Sequence, residues 1–312
     1  LEVPVSRLAL LEAIRSAATG RASEGLPLDV VARFLQSDPL LPVAIERAHV
    51  RWLELRSVEP ALMKLPEPQL VERLLADYVN FYPTAGVAPY VPLAARGPWV
   101  VTTHGAVIHD NGGYGMLGHG HAPPLVEAAL ARSYTMANVM TPSFSQHRLA
   151  ARLKEEIGRR RADGCPFDRF LCMNSGSEAM SVASKFADLR AGALTGPGGA
   201  KEGRVVARLT LEGSFHGRTH RPSLFSDSTR AKAEALLATW RGDNGLVAVP
   251  INDVAALEGA FAAAEADGRW FEAFYFEPVQ GEGNPGAAVT PEYYQAARRL
   301  CDAHQTLLVA DS

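Results

Sequence analysis

Cysteine is scarce in this chain of 312 residues: Cys165, Cys172 and Cys301 are odd in number and form no C-x-x-C. That argues against a disulfide framework or a cysteine-held zinc, and it fits a reducing, cytoplasmic setting. Long apolar runs are missing as well. None approaches the roughly 18 residues of a spanning helix. Glu12 and Arg15 break the apolar pattern of the first 20 residues, which spoils it as a signal-peptide core. Neither sign of charge dominates, with a formal net charge of -3. Nothing electrostatic points to nucleic acid or an anionic membrane as a partner. An anionic ligand would have to be held locally, by backbone amides and a few side chains. Lysine is also rare, present only as Lys64, Lys154, Lys185, Lys201 and Lys232.

What is present is an ordinary globular composition, 47% hydrophobic and 21% charged. Residues 1–83 read as a helical arm. Leu8, Leu11 and Ile14, then Val30, Val31, Phe34 and Leu35, recur at helical spacing, with Pro27 and Asp38-Pro39 as breaks. Two further stretches, 44–55 and 68–82, keep the same period. Over 84–124 short β-rich runs take over, and Val100–Thr103 with Ala106–Ile108 reads as a hairpin. From 125 to 312 helix and strand alternate. Strands are expected at Phe170–Met173, Val205–Leu211, Leu246–Val249, Ala273–Phe276 and Leu307–Ala310. Helices are expected at Glu178–Arg190, Thr229–Trp240, Val254–Ala266 and Pro291–His304. Residues 192–203 read as a Gly-rich surface loop. The pattern predicts an α/β domain with a mostly parallel sheet covered on both faces. Ligands of such sheets sit beyond the carboxyl ends of the strands.

The candidate chemistry falls at those ends. Asn174-Ser175-Gly176-Ser177-Glu178-Ala179 joins a strand to a helix. Ser175, Gly176 and Ser177 offer N–H groups and hydroxyls at a helix N-terminus, suited to a phosphate. A plain capping box, Ser175 with Glu178, fits the same residues. Phe215, between Gly213 and Gly217, could lie over a flat heteroaromatic ring or could be a core residue beside a turn. Asp311 ends an apolar strand, where a carboxylate would keep a pyridine nitrogen protonated. Glu277 and Glu282 flank Pro278 and Gly281 in a rigid turn. His216 and His220 lack a third ligand at a recognisable spacing, so no metal is expected. Two glycine-rich decoys fail on context. Gly113 to Gly118 spells G-x-G-x-x-G without the helix or the acidic partner of a dinucleotide site, and Gly196 to Lys201 lacks the G-K-[ST] ending of a P-loop.

In combination and in order, N-S-G-S-E-A, F-H-G-R, E-P-V-Q-G-E-G and the strand-end Asp311 resemble the class III (ω-type) aminotransferases, fold-type I enzymes of pyridoxal 5'-phosphate (PLP). The resemblance covers roughly Gly97 to Ser312, including the Asp110 to His119 segment. It implies that Ser175, Gly176 and Ser177 hold the phosphate, and that Phe215 and His216 lie beside the ring. Asp311 would bond the ring nitrogen, Glu277 would support the site, and Glu282 and Tyr114 would face the substrate. It also implies a homodimer that moves an amino group from an amine or amino acid to a 2-oxo acid. Met180 and Ser312 depart from the family's usual Asn and Glu. The family's Schiff-base lysine lies after the strand-end Asp, where this sequence offers none, so the chain reads as a fragment lacking the C-terminal part. Lys185, about two turns into the helix after the anion site, reads as a surface residue. A catalytically inactive PLP-fold binding or regulatory protein is the alternative, with an aminomutase, racemase or decarboxylase on the same scaffold beside it.

Overall fold

The computed structural model describes residues 6–79, 86–111, 118–134, 140–238 and 245–312. Two compact units emerge, Leu1–Thr141 and Pro142–Ser312. In the first, helices α1 (Arg7–Ala17), α2 (Leu28–Ser37), α3 (Leu40–Val58) and α4 (Glu67–Leu75) precede strands β1 (Pro92–Arg96), β2 (Trp99–Thr102) and β3 (Val107–His109), with α5 (Pro124–Leu130) after them. The strands form an antiparallel sheet in the order β1-β2-β3, which contains the expected hairpin. The helical period of the sequence closes a core here. Leu11, Ile14, Ile45 and Trp52 from the helices meet Trp99, Val101 and Val107 from the strands. The buried Trp99 ring satisfies its indole N–H on Asp38 Oδ2 at 2.8 Å, the only polar demand it brings into that core.

The second unit opens with α6 (Phe144–Gly158) and α7 (Gly176–Thr195) and then alternates. Strands β4 (Val205–Leu211), β5 (Leu246–Val249), β6 (Arg269–Phe276) and β7 (Leu307–Ala310) are all parallel, in the order β5-β4-β6-β7. Short helices α8 (His220–Ser223) and α9 (Arg230–Leu236) lie between β4 and β5, α10 (Val254–Ala266) precedes β6, and α11 (Pro291–His304) precedes β7. On one sheet face Leu209, Leu211, Phe271 and Phe274 pack on Leu257 and Phe261 of α10 and on Tyr293 and Ala297 of α11. The other face sets Ala273 and Tyr275 against Met180 and Ala187 of α7. Burial on both sides explains why β6 is apolar almost without alternation. The predicted α/β class and two-sided sheet are therefore present.

Three expectations need correction. Phe170–Met173 forms no strand: no segment among the described residues pairs with it, and Leu171 and Met173 stay exposed. The Gly-rich stretch is not loop throughout, because α7 runs on to Thr195 through residues that tolerate helix before Gly196 ends it. The helix expected from Thr229 begins at Arg230 and stops at Leu236, as Leu237 turns extended.

Candidate active site

Because β4, β6 and β7 run parallel, their carboxyl ends share one edge, and the turns leaving them converge. Helix α7 approaches that edge by its N-terminus. Ser175, in extended conformation, caps the helix by accepting the Glu178 N–H at 3.2 Å, while Glu178 Oε2 accepts the Asn174 N–H at 2.9 Å. The capping reading is thus fulfilled, and it commits the Ser175 hydroxyl. It leaves the N–H groups of Gly176 and Ser177 without a partner among the described residues. A Cβ on Gly176 would meet nothing within 4 Å, so open space lies beside that residue. Unpaired amides at the positive end of a 20-residue helix suit an anion.

The turn after β4 is the hub. Gly217 adopts φ +114° and passes so close to α7 that a Cβ there would sit 2.4 Å from Ser177 Oγ. Only glycine meets both demands. Next along, the Arg218 N–H donates to Ser177 Oγ at 3.4 Å. In the other direction lies His216, fully buried. Its N–H donates to Ser226 Oγ at 2.9 Å, Nε2 faces Thr210 Oγ1 at 3.3 Å, and Nδ1 faces Asp311 Oδ2 at 2.9 Å. Asp311 is held by its own N–H, which donates to the Phe276 carbonyl and prolongs the β6–β7 ladder by one residue. Its Oδ1 has no partner among the described residues. That oxygen can accept one N–H donor.

Glu277, buried at the end of β6, works as a bracket. Oε2 accepts the Phe215 N–H and Oε1 accepts the Gly281 N–H, both at 2.9 Å. A carboxylate with two amide donors is well satisfied in a buried site. It ties the F-H-G-R turn to the E-P-V-Q-G-E-G turn without reaching the open space itself. Outside them, Arg218 Nη2 bonds both carboxylate oxygens of Glu282, at 2.7 and 3.0 Å. The same guanidinium lies 5.2 Å from the centroid of the half-buried Phe215 ring, a cation–π distance.

Of the expected site residues of this unit, Phe215, His216, Ser177, Glu277, Glu282 and Asp311 meet at one turn, while Ser175 and Gly176 precede Ser177 at the start of α7. Tyr114 lies outside the described residues. Arg218 and Thr210 had no role assigned from sequence. The Arg was visible in F-H-G-R, and Thr210 could have been noticed as the polar residue of an otherwise apolar strand end.

A model of the class-III aminotransferase family matches residues 82–312. The chain belongs to that family. Class III aminotransferases are PLP-dependent transaminases, and solved relatives of this fold carry PLP. The chain is 35% identical over 235 residues to the acetylornithine aminotransferase of Neisseria meningitidis, covering 73% of this chain and 52% of that protein. To the ornithine aminotransferase 1 of Staphylococcus aureus it is 28% identical over 248 residues, 76% of this chain and 56% of that protein. Among solved structures, the ornithine aminotransferase of Toxoplasma gondii matches with a TM-score of 0.62 at 24% identity, over 82% of this chain and 56% of that one. The fold is accordingly that of the fold-type I aminotransferases. The chain spans about half the length of the curated relatives it matches.

The residues fit the family's cofactor. Free amides at the start of α7 suit its phosphate, and the open oxygen of Asp311 suits a protonated ring nitrogen.

Proposed function

We propose that the Pro142–Ser312 unit supplies the PLP-binding face of a transaminase that moves an amino group from an amine or amino acid to a 2-oxo acid. One observation carries the reading: a single turn, Phe215 to Arg218, contacts the helix start at Ser177, the strand-end Asp311, Glu277 and Glu282. When bound, PLP supplies the electron sink for a carbanion at the substrate's Cα.

The residues of this chain would bind and orient it. Gly176 and Ser177 bind the phosphate with backbone N–H groups and the Ser177 hydroxyl, while Ser175 holds the helix cap that aims them. Asp311 keeps a proton on the ring nitrogen, since a carboxylate beside it favours the charged ring. His216 fixes the rotamer of Asp311 by occupying Oδ2, leaving Oδ1 as the single acceptor. Phe215 lies beside the ring, and Glu277 sets the height of Phe215 through its backbone. Glu282 and Arg218 face the substrate side. Released from Glu282, the Arg218 guanidinium presents a fork that matches a carboxylate. Tyr114 remains a proposed pocket residue.

The Schiff-base lysine is placed outside these 312 residues, and the working molecule is read as a cytoplasmic homodimer. No helix among the described residues is long and apolar enough to cross a membrane. Residues 1–83 are read as an arm, 84–124 as the start of a small subdomain and 125–312 as the large domain. Ornithine and N-acetylornithine, the donors that the relatives' names suggest, are the first to test with 2-oxoglutarate. The experiment is absorbance of the full-length protein with added PLP. A violet band abolished by borohydride is expected; a colourless protein that also forms no glutamate from these donors overturns the reading.

A further inference from the structure

In the first unit a cavity of about 410 Å³ lies where the end of α1, the second half of α3 and the turn Leu62–Lys64 meet the end of β2. That volume falls within the about 300–1,000 Å³ of small-molecule sites. All of its lining residues except Thr103 precede residue 82, where the family match begins, so the transaminase reading gives it no role. Trp52, Pro60 and Met63 supply apolar wall, Arg56 and Lys64 supply two cations, and no acid lines it. The Arg56 guanidinium lies 4.6 Å from the centroid of the Trp52 ring, a contact that holds the fork in place without neutralising its charge. Neither Arg56 nor the Lys64 ammonium has an ion-pair partner among the described residues. The walls are fixed by hydrogen bonds of their own. Thr19 Oγ1 donates to the Lys64 carbonyl at 3.0 Å, and the Thr103 N–H donates to the Val91 carbonyl at 2.8 Å. The Thr103 hydroxyl is engaged by His104 Nδ1 at 3.0 Å, and that ring is anchored by Nε2 on the Leu65 carbonyl at 3.1 Å.

We infer that this cavity binds a small organic carboxylate with an apolar body. Charge and wall each narrow the class. Two cations without an acid repel an amine and attract an anion. An anion that is polar on every side, such as phosphate, would leave the surfaces of Trp52, Pro60 and Met63 uncovered, whereas an alkyl or aryl body covers them and gains from that burial. The planar Arg56 fork matches both oxygens of a carboxylate, and Lys64 adds a mobile point charge.

The test is isothermal titration of the full-length protein at constant ionic strength, with phenylacetate as the probe. Phenylacetamide presents the same body without the charge, and inorganic phosphate presents charge without the body. Saturable binding of phenylacetate is expected, about tenfold or more tighter than either control. Arg56→Gln and Lys64→Gln should each weaken it about threefold or more. Arg56→Gln also removes the contact with Trp52, so its melting temperature is measured alongside. Lys64→Gln breaks no hydrogen bond or ion pair among the described residues and should melt like the parent. Gly176→Asp, which blocks the start of α7, should leave the affinity unchanged. Absence of saturable phenylacetate binding overturns the proposal, as does a control that binds equally well. So does unchanged affinity in Lys64→Gln, or a loss confined to Gly176→Asp, which would assign the carboxylate to the proposed PLP site.

Discussion

His216 and Asp311 stand 95 residues apart in the chain, yet Nδ1 of one lies 2.9 Å from Oδ2 of the other. The imidazole is fully buried and the carboxylate only partly so. A hydrogen bond to a charged group contributes about 1.5–3 kcal/mol. His216→Gln and Asp311→Asn are therefore expected to weaken PLP binding about ten- to a hundredfold, the Asn variant more, because it also removes the charge that favours a protonated ring. Spectral titration with PLP measures both. Unchanged affinity in Asp311→Asn would show that this carboxylate does not meet the cofactor.

Gly217→Ala places a methyl group 2.4 Å from Ser177 Oγ at a backbone angle of φ +114°. Overpacking of this kind costs about 1–3 kcal/mol. The expected result is a lower melting temperature together with weaker PLP binding, since relief of the clash pushes α7 away from the turn. Gly286→Ala, also at positive φ but with open space around it, is the control and should leave PLP affinity unaltered.

A pH effect is expected from Glu272. Its buried carboxylate lies within 3.1 Å of Arg208 Nε and of Arg221 Nη2, next to the irregularity where β4 and β6 shift register. Burial pushes its pKa above the ordinary value of 4.5, and the two guanidiniums only partly offset that. A carboxyl whose pKa rises on folding adds stability below its unfolded pKa and loses it as pH climbs through the folded one. The melting-temperature difference between the parent and Glu272→Gln should therefore shrink in the parent's disfavour as pH rises from about 4.5 towards neutrality. A difference that grows in the parent's favour over that window would mean the arginines win.

Thiol labelling should separate the three cysteines. Cys301 is fully buried, and burial pushes its thiol up to about 12, so almost no thiolate exists at neutral pH. Cys172 is exposed and Cys165 half-buried. Peptide mapping after brief alkylation should find Cys172 modified first and Cys301 only after denaturant. Early modification of Cys301 would show that α11 opens locally.

Much of the second unit was legible because its signals are local. β4, β5 and β7 are apolar runs bounded by turn residues, and α10 and α11 follow a capping Asp253 and Thr290 at the expected bounds. The site motifs were legible for the same reason: Ser177, Phe215 and Asp311 each stand beside a strand end or helix start. The failures are non-local. Phe170–Met173 has strand composition, but a strand exists only if another chain segment lies alongside. The Arg218–Glu282 pair spans 64 residues, and no spacing rule reveals such a partner. Pro92 disguised β1, whose pairing with β2 is irregular beside that proline.

The placement of Asp311 one residue past β7, which pairs with β6, has a bearing on assembly. Each parallel pairing closes a long stretch of chain, which makes such topologies slow to form. Until β7 has docked on β6, Asp311 does not reach His216, so a folding intermediate in which β4, β5 and β6 are already paired would hold vitamin B6 more weakly than the native state. Tight cofactor binding should thereby report the docking of β7 on β6, and holoprotein formation should lag behind the gain of helix signal during refolding.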